Sequence, residues 1–114
     1  LFDKPSLKEF LNRPVIYSSA FRYRINQLVP ETFDISARKG KTVSFQFTKN
    51  SDCPIMKAEL YIVGAKTKKS VYPNLYQDAS GFYCIDHTFT SEGMYDVHVL
   101  LNHSYAFTYS VRVK

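Results

Sequence analysis

The stretch GFYCIDHTFTSEGMYDVHVLLNHSYAFTYSVRV, residues 81–113, decides how the chain reads, because polar and apolar side chains alternate through it in three successive runs. A period of two places alternate residues on opposite faces of a strand. Phe82 to Phe89 forms the first run, and Ser91-Glu92-Gly93 supplies a turn that tolerates positive φ. Met94 to Leu101 follows, with Tyr95, Val97, Val99 and Leu101 on one face and Asp96 and His98 on the other, solvent-facing side. Asn102-His103-Ser104 then reverses the chain into Tyr105–Val113. The pattern predicts a three-strand antiparallel meander.

Upstream, the alternation continues. Phe33, Ile35 and Ala37 share a face over Thr32–Arg38, Lys39-Gly40-Lys41 is a tight reversal, and Val43, Phe45 and Phe47 share a face over Thr42–Thr48. After the turn cluster Asn50–Pro54, Met56, Ala58, Leu60 and Ile62 read as the next apolar face. Pro73 cannot donate to a ladder, so Val71-Tyr72-Pro73 belongs to an edge or a loop. Nine Phe and nine Tyr without Trp, in 114 residues, favour half-buried pleated surfaces. Glu92-Gly93-Met94-Tyr95 stands where sandwich folds place a tyrosine corner, so Tyr95, with Gly93 before it, reads as structural: its hydroxyl bonds nearby backbone. The expectation is all-β, an Ig-like antiparallel β-sandwich of six to seven strands over residues 31–114, preceded by a connector over 1–30.

That connector opens with a capping box. Ser6 and Glu9 can satisfy each other's backbone N–H groups, so a short helix is predicted at Ser6–Leu11, ended by Pro14. Its Leu7, Phe10 and Leu11 face, together with Phe21, is the candidate interdomain docking surface, since so short a helix needs a neighbour. Val15-Ile16-Tyr17 reads as briefly extended, Ser19–Tyr23 as a helical turn. The absence of an initiating Met or a signal-like start reads as a piece cut from a longer protein.

Chemistry is sparse. The formal charge of +5 is spread along the sequence, and its one cluster, Lys66-Thr67-Lys68-Lys69, reads as a solvated tip or edge-strand guard rather than a phosphate site. No nucleic-acid partner is expected, and no apolar run is long enough to insert into a membrane. Cys53 and Cys84 lack the immunoglobulin disulfide spacing and read as unpaired thiols. Cys84, Asp86 and the histidines do not make a catalytic set: Cys84 and Asp86 share a strand face, His87 takes the other, and nothing acidifies the thiol. Neither a C-x-x-C pair nor a helical H-x-x-x-H is present, so no metal or other cofactor is expected. Tyr61, Tyr72, Tyr76, Tyr83, Tyr105 and Tyr109 cannot all face inward. Of these, Tyr61, Tyr72 and Tyr76 are the candidate ligand-facing aromatics, suited to sugar rings or a protein interface.

Residues 1–14, with Ser6, Leu7, Phe10 and Pro14, followed by Ala20-Phe21-Arg22-Tyr23-Arg24-Ile25, resemble the segment after the catalytic core in transglutaminase-like proteins of the kyphoscoliosis-peptidase and hillarin type, bacterial relatives included. Ala20 replaces an aromatic of that pattern, and Arg24 stands where it has Gly. The resemblance implies that Cys-His-Asp machinery lies upstream and that this chain is a non-catalytic accessory module positioning domains or substrate. It implies a neighbouring domain or another protein as partner, and a cell-envelope or secreted setting through the bacterial relatives or a cytoplasmic one through the animal relatives, the balance leaning to the former. The alternative is a free-standing module that binds carbohydrate or a cell-surface ligand through exposed tyrosines.

Overall fold

The computed structural model describes residues 15–18, 21–23, 25–49 and 55–114, with side chains from residue 25 onward. Every regular element among them is a strand: β1 (Val15–Ser18), β2 (Phe21–Tyr23), β3 (Ile25–Val29), β4 (Asp34–Ala37), β5 (Thr42–Lys49), β6 (Ala58–Val63), β7 (Lys68–Val71), β8 (Leu75–Gln77), β9 (Tyr83–Thr88), β10 (Gly93–Leu101) and β11 (Ser104–Val113). Two sheets face each other, a five-stranded one in the order β4-β11-β10-β6-β7 and a four-stranded one in the order β3-β5-β9-β8. The sandwich is therefore two or three strands richer than the alternation predicts. β1 and β2 pair separately as an antiparallel hairpin whose first strand approaches β11.

Inward side chains follow the period-2 pattern. Phe45 and Phe47 from β5, Leu60 and Ile62 from β6, and Val97, Val99 and Leu101 from β10 are all fully buried. Tyr109 occupies the centre. Its ring meets Phe45 at 5.0 Å, Phe33 edge-on at 5.4 Å and Phe107 at 5.8 Å. The hydroxyl donates to the Pro30 carbonyl at 2.6 Å, where the chain crosses between sheets after β3. Burial holds this phenol far above its ordinary ionisation range. An outward Tyr109 would fit the alternation only if Tyr109 shared a face with Thr108; instead it shares one with Phe107 and Val111.

Four expectations are corrected. The run from Gly81 is not a meander: β9 pairs β5 and β8 in one sheet, whereas β10 and β11 pair in the other. The link between them is an arch, since Phe89 drops between the sheets, 3% exposed, and packs against the Tyr95 ring at 5.4 Å. Residues 25–29, assigned to the connector, form β3 and pair β5; a register shift between Ile25 and Gln27 breaks the alternation that would have revealed them. The helical turn expected at Ser19–Tyr23 is contradicted by β2, paired to β1 from Phe21. Met56 does not continue the β6 face: the strand begins at Ala58, and Met56 is 73% exposed. The helix expected at Ser6–Leu11, with Leu7, Phe10 and Leu11, lies outside the described residues.

At the arch, the Tyr95 hydroxyl donates to the Ser91 carbonyl at 2.9 Å, four residues back, and clips the connection to the strand it feeds. Gly93 holds φ at +148° beside the same ring. Gly64 lies under it: a Cβ there would stand 3.0 Å from Tyr95 Cδ1 and Cε1. Gly64→Ala should therefore destabilise by about 1–3 kcal/mol through overpacking, and Tyr95→Phe by about 1 kcal/mol through the lost hydrogen bond. Because the unclipped Phe ring can yield to the new methyl, the double variant should lose less in urea unfolding than the two single losses added together.

Candidate functional site

The outer face of the four-stranded sheet gathers most of the reactive-looking side chains. Cys84 and Asp86 alternate outward along β9, opposite Gln46 and Ser44 of β5. Cys84 is 1% exposed, and its thiol approaches the Phe82 carbonyl at 3.5 Å. Burial, reinforced by the Asp78 charge, pushes its pKa up. The thiol thus stays protonated at neutral pH, the reverse of what a nucleophile or metal ligand requires. Asp86 accepts a hydrogen bond from the Tyr76 hydroxyl at 3.0 Å, which raises the Tyr76 pKa. The other Asp86 oxygen is buried and accepts no hydrogen bond from the described residues.

His87 turns to the inner side, edge-on to Phe89 at 4.7 Å. Cysteine, carboxylate and imidazole are therefore not brought together. Among the described residues, no three His, Cys, Asp or Glu side chains cluster as metal ligands. Burial lowers the His87 pKa, and the Lys69 charge lowers it further.

His98, expected at the solvent, is 8% exposed on the outer face of the five-stranded sheet. Its Nδ1 lies 2.8 Å from Oγ1 of Thr108, its cross-strand neighbour. Thr108 donates to the Tyr105 hydroxyl at 3.0 Å, so the histidine supplies the proton of the first bond. Tyr61 stacks on the imidazole at 5.9 Å and Tyr105 approaches edge-on at 6.5 Å. This is a closed polar cluster that stitches three strands together. The period alone cannot reveal it, because a polar pair on an outer face reads as solvated until the rings covering it are placed.

The three ligand-facing candidates consequently separate. Tyr61 covers His98, Tyr76 is tied to Asp86 on the opposite side of the sandwich, and only Tyr72 stands free of such a clip, 69% exposed. No shared tyrosine platform forms. Of the docking candidates, Leu7, Phe10 and Leu11 lie outside the described residues, while Phe21 begins β2.

Tyr72 instead lines a groove of about 540 Å³ at one end of the sandwich, between Tyr72-Pro73-Asn74-Leu75 on one wall and Met56-Lys57-Ala58 on the other. The first wall links two edge strands, β7 and β8, and Pro73 stiffens it. The second is held by Asn102, which sits with His103 in a turn of positive φ. Asn102 Oδ1 accepts from the backbone N–H groups of Met56 at 2.8 Å and Lys57 at 3.2 Å, and its own N–H donates to the Lys57 carbonyl. This wall is fixed by the Asn102 side chain and backbone rather than by contacts inside the groove. Sequence reasoning passed over Met56 and Asn102 because one was counted into the core and the other only as a turn residue.

Asn102→Gly keeps the positive φ but removes the acceptor, so it should destabilise by about 1–3 kcal/mol and raise hydrogen exchange at Met56 and Lys57. For His87 the folded pKa lies below the unfolded value of about 6.5. Its neutral form is therefore stabilised by folding, a contribution present above pH about 6.5 and lost as pH falls through the folded pKa. Unfolding midpoints should decline on acidification from pH about 7 to 5, and His87→Gln should flatten that decline; an unchanged slope would reject the assignment.

Searches against family models and against curated proteins return no match. The transglutaminase-like resemblance read at residues 1–25 thus has no counterpart there. Among solved structures, the filamin domain of Lin-41 superposes with a TM-score of 0.52 over 75% of this chain and 90% of that one, at 13% identity. At that identity the likeness establishes the fold alone: an immunoglobulin-like β-sandwich of the filamin-domain kind.

Proposed function

We propose that this chain is a non-catalytic interaction module whose groove at Met56 and Tyr72 receives part of a neighbouring domain or partner protein. The carrying observation is the groove's construction: two large, exposed apolar side chains held on walls that are already rigid. Exposed residues of this type bury much area on binding, and a preordered backbone adds no ordering cost of its own, which is what interface anchors need. The reactive groups point the same way, since the buried, protonated Cys84 and the inward His87 offer nothing to a substrate.

The resemblance of residues 1–25 supports a finer version, in which the partner is a transglutaminase-like core of the same polypeptide. Carbohydrate binding is the weaker reading, because Tyr61 and Tyr76 are engaged on opposite faces and leave no row of free rings.

A photo-crosslinking amino acid placed at Tyr72 in the full-length protein should yield a discrete polypeptide adduct, mapped by mass spectrometry, and Met56→Glu should abolish it. An adduct within an upstream Cys-His-Asp domain supports the finer version. Crosslinking to solvent alone, or glycan-array binding lost on Tyr72→Ala, overturns the protein-docking reading. Cys84→Ser with His87→Gln should leave any turnover of the whole protein unchanged; lost turnover in a folded variant would place a reactive site here after all.

A further inference from the structure

The basic residues look dispersed along the sequence, but the fold collects them. β4 runs parallel to β11 with Ala37 opposite Val113; β10 begins beside the end of β11, with Gly93 opposite Val113; β6 ends opposite Asp96; and β7 begins opposite Val63. All four junctions therefore lie at one end of the five-stranded sheet. The turn after β4 carries Arg38, Lys39 and Lys41 to that end, and it is tied there by Lys39 N–H to the Lys114 carbonyl and Gly40 N–H to the Phe89 carbonyl. The β6–β7 loop carries Lys66 to the same end, the start of β7 adds Lys68 and Lys69, and the end of β11 adds Arg112 with Lys114 just beyond it.

All of these side chains are exposed. The acidic groups on the same segments are Glu92, 3.9 Å from Lys39, Asp96, which accepts from the Ser110 hydroxyl at 2.9 Å, and Asp34, which lies opposite Ser110 on the neighbouring strand. Positive charge dominates this pole, far from the Met56 groove, which lies where β6 begins and β10 ends. Between its two basic flanks sits a pocket of about 270 Å³, formed by Val63, Gly64, Ala65, Met94, Tyr95 and Asp96. Met94 is 54% exposed at its rim, and Arg112 Nε donates to its sulfur at 3.4 Å.

We infer that this pole docks an acidic polypeptide segment carrying one apolar anchor side chain, the anchor seated in the pocket and its acidic neighbours lying over the lysines on either side. Three features select that occupant. The cations are mostly lysines, which attract carboxylates as point charges without the planar fork that recognises phosphate bidentately. The aromatic rings at this end, Phe89 and Tyr95, are turned inward onto each other, so unstacked bases find no platform. The pocket has side-chain dimensions, and Gly64 opens it, which suits a single anchor residue better than the even surface of a bilayer. From β4 to β7 is four strand spacings, about 19 Å, a span that about six extended residues cover.

The surface is independent of the Met56 groove, so either can fail without the other. The test uses the full-length protein and the labelled peptide acetyl-Glu-Glu-Glu-Leu-Glu-Glu-Glu-amide, followed by fluorescence anisotropy. Binding should weaken about tenfold or more when Lys66, Lys68 and Lys69 are changed to Glu, and again when salt is raised from about 50 to 300 mM. Replacing the central Leu of the probe with Ser should weaken binding several-fold, as should Gly64→Ser, whose side chain narrows the pocket. Lys49→Glu, a reversal away from this pole, should leave it unchanged. No binding, or binding equally sensitive to both sets of reversals, overturns the inference. Tighter binding to phosphatidylserine vesicles or to duplex DNA, lost with the same three lysines, overturns it in favour of a phosphate surface.

Discussion

The hydrogen bond from the buried Tyr109 hydroxyl to the Pro30 carbonyl is the constraint on which the sandwich most depends. It joins the last strand to the crossover where the chain leaves one sheet for the other, so it fixes how the two sheets are stacked. Phe33, Phe45 and Phe107 wall it off from water, which makes an unpaired hydroxyl there costly. An aromatic core with one polar tip is thereby held in a single arrangement, where apolar rings alone would tolerate several. The strands on either side inherit their register from that arrangement, and with it the two ends at which loops and turns converge.

Much of this architecture is legible in the sequence, for a definite reason. Strand identity depends on local alternation, and wherever alternation is clean, as at Val43-Phe45-Phe47 or Val97-Val99-Leu101, the inward face follows directly. Sheet membership does not depend on it. The step from Phe89 to Gly93 reads equally well as a hairpin turn or an arch, and only the insertion of Phe89 between the sheets distinguishes them. Likewise Ile25 and Leu28 are buried three positions apart across a register shift, a spacing that a period of two cannot register.

The surfaces proposed for docking were less legible because they are assembled from distant segments. His98 is closed over by Tyr61 and Tyr105 from neighbouring strands, so an isolated strand suggests exposure where the sheet provides cover. Asn102 stabilises a wall 45 residues away in sequence, through a side-chain oxygen that a turn assignment leaves unused. Charge behaves in the same way: a cation every few residues looks diffuse along the chain, yet hairpins return to the same end of a sheet and superimpose what the sequence separates. What the sequence did convey is the strand parity that sets Cys84 and His87 on opposite faces.

β10 runs from Gly93 at the basic end to Leu101, next to Asn102 at the groove, and it is paired on both sides along its central residues. A nine-residue strand measures about 30 Å. It therefore behaves as a strut of set length with a proposed docking surface at either end. Two occupants held at those ends would be kept apart by a distance that neither loop motion nor side-chain repacking can shorten, and each would raise the local concentration of the other without touching it.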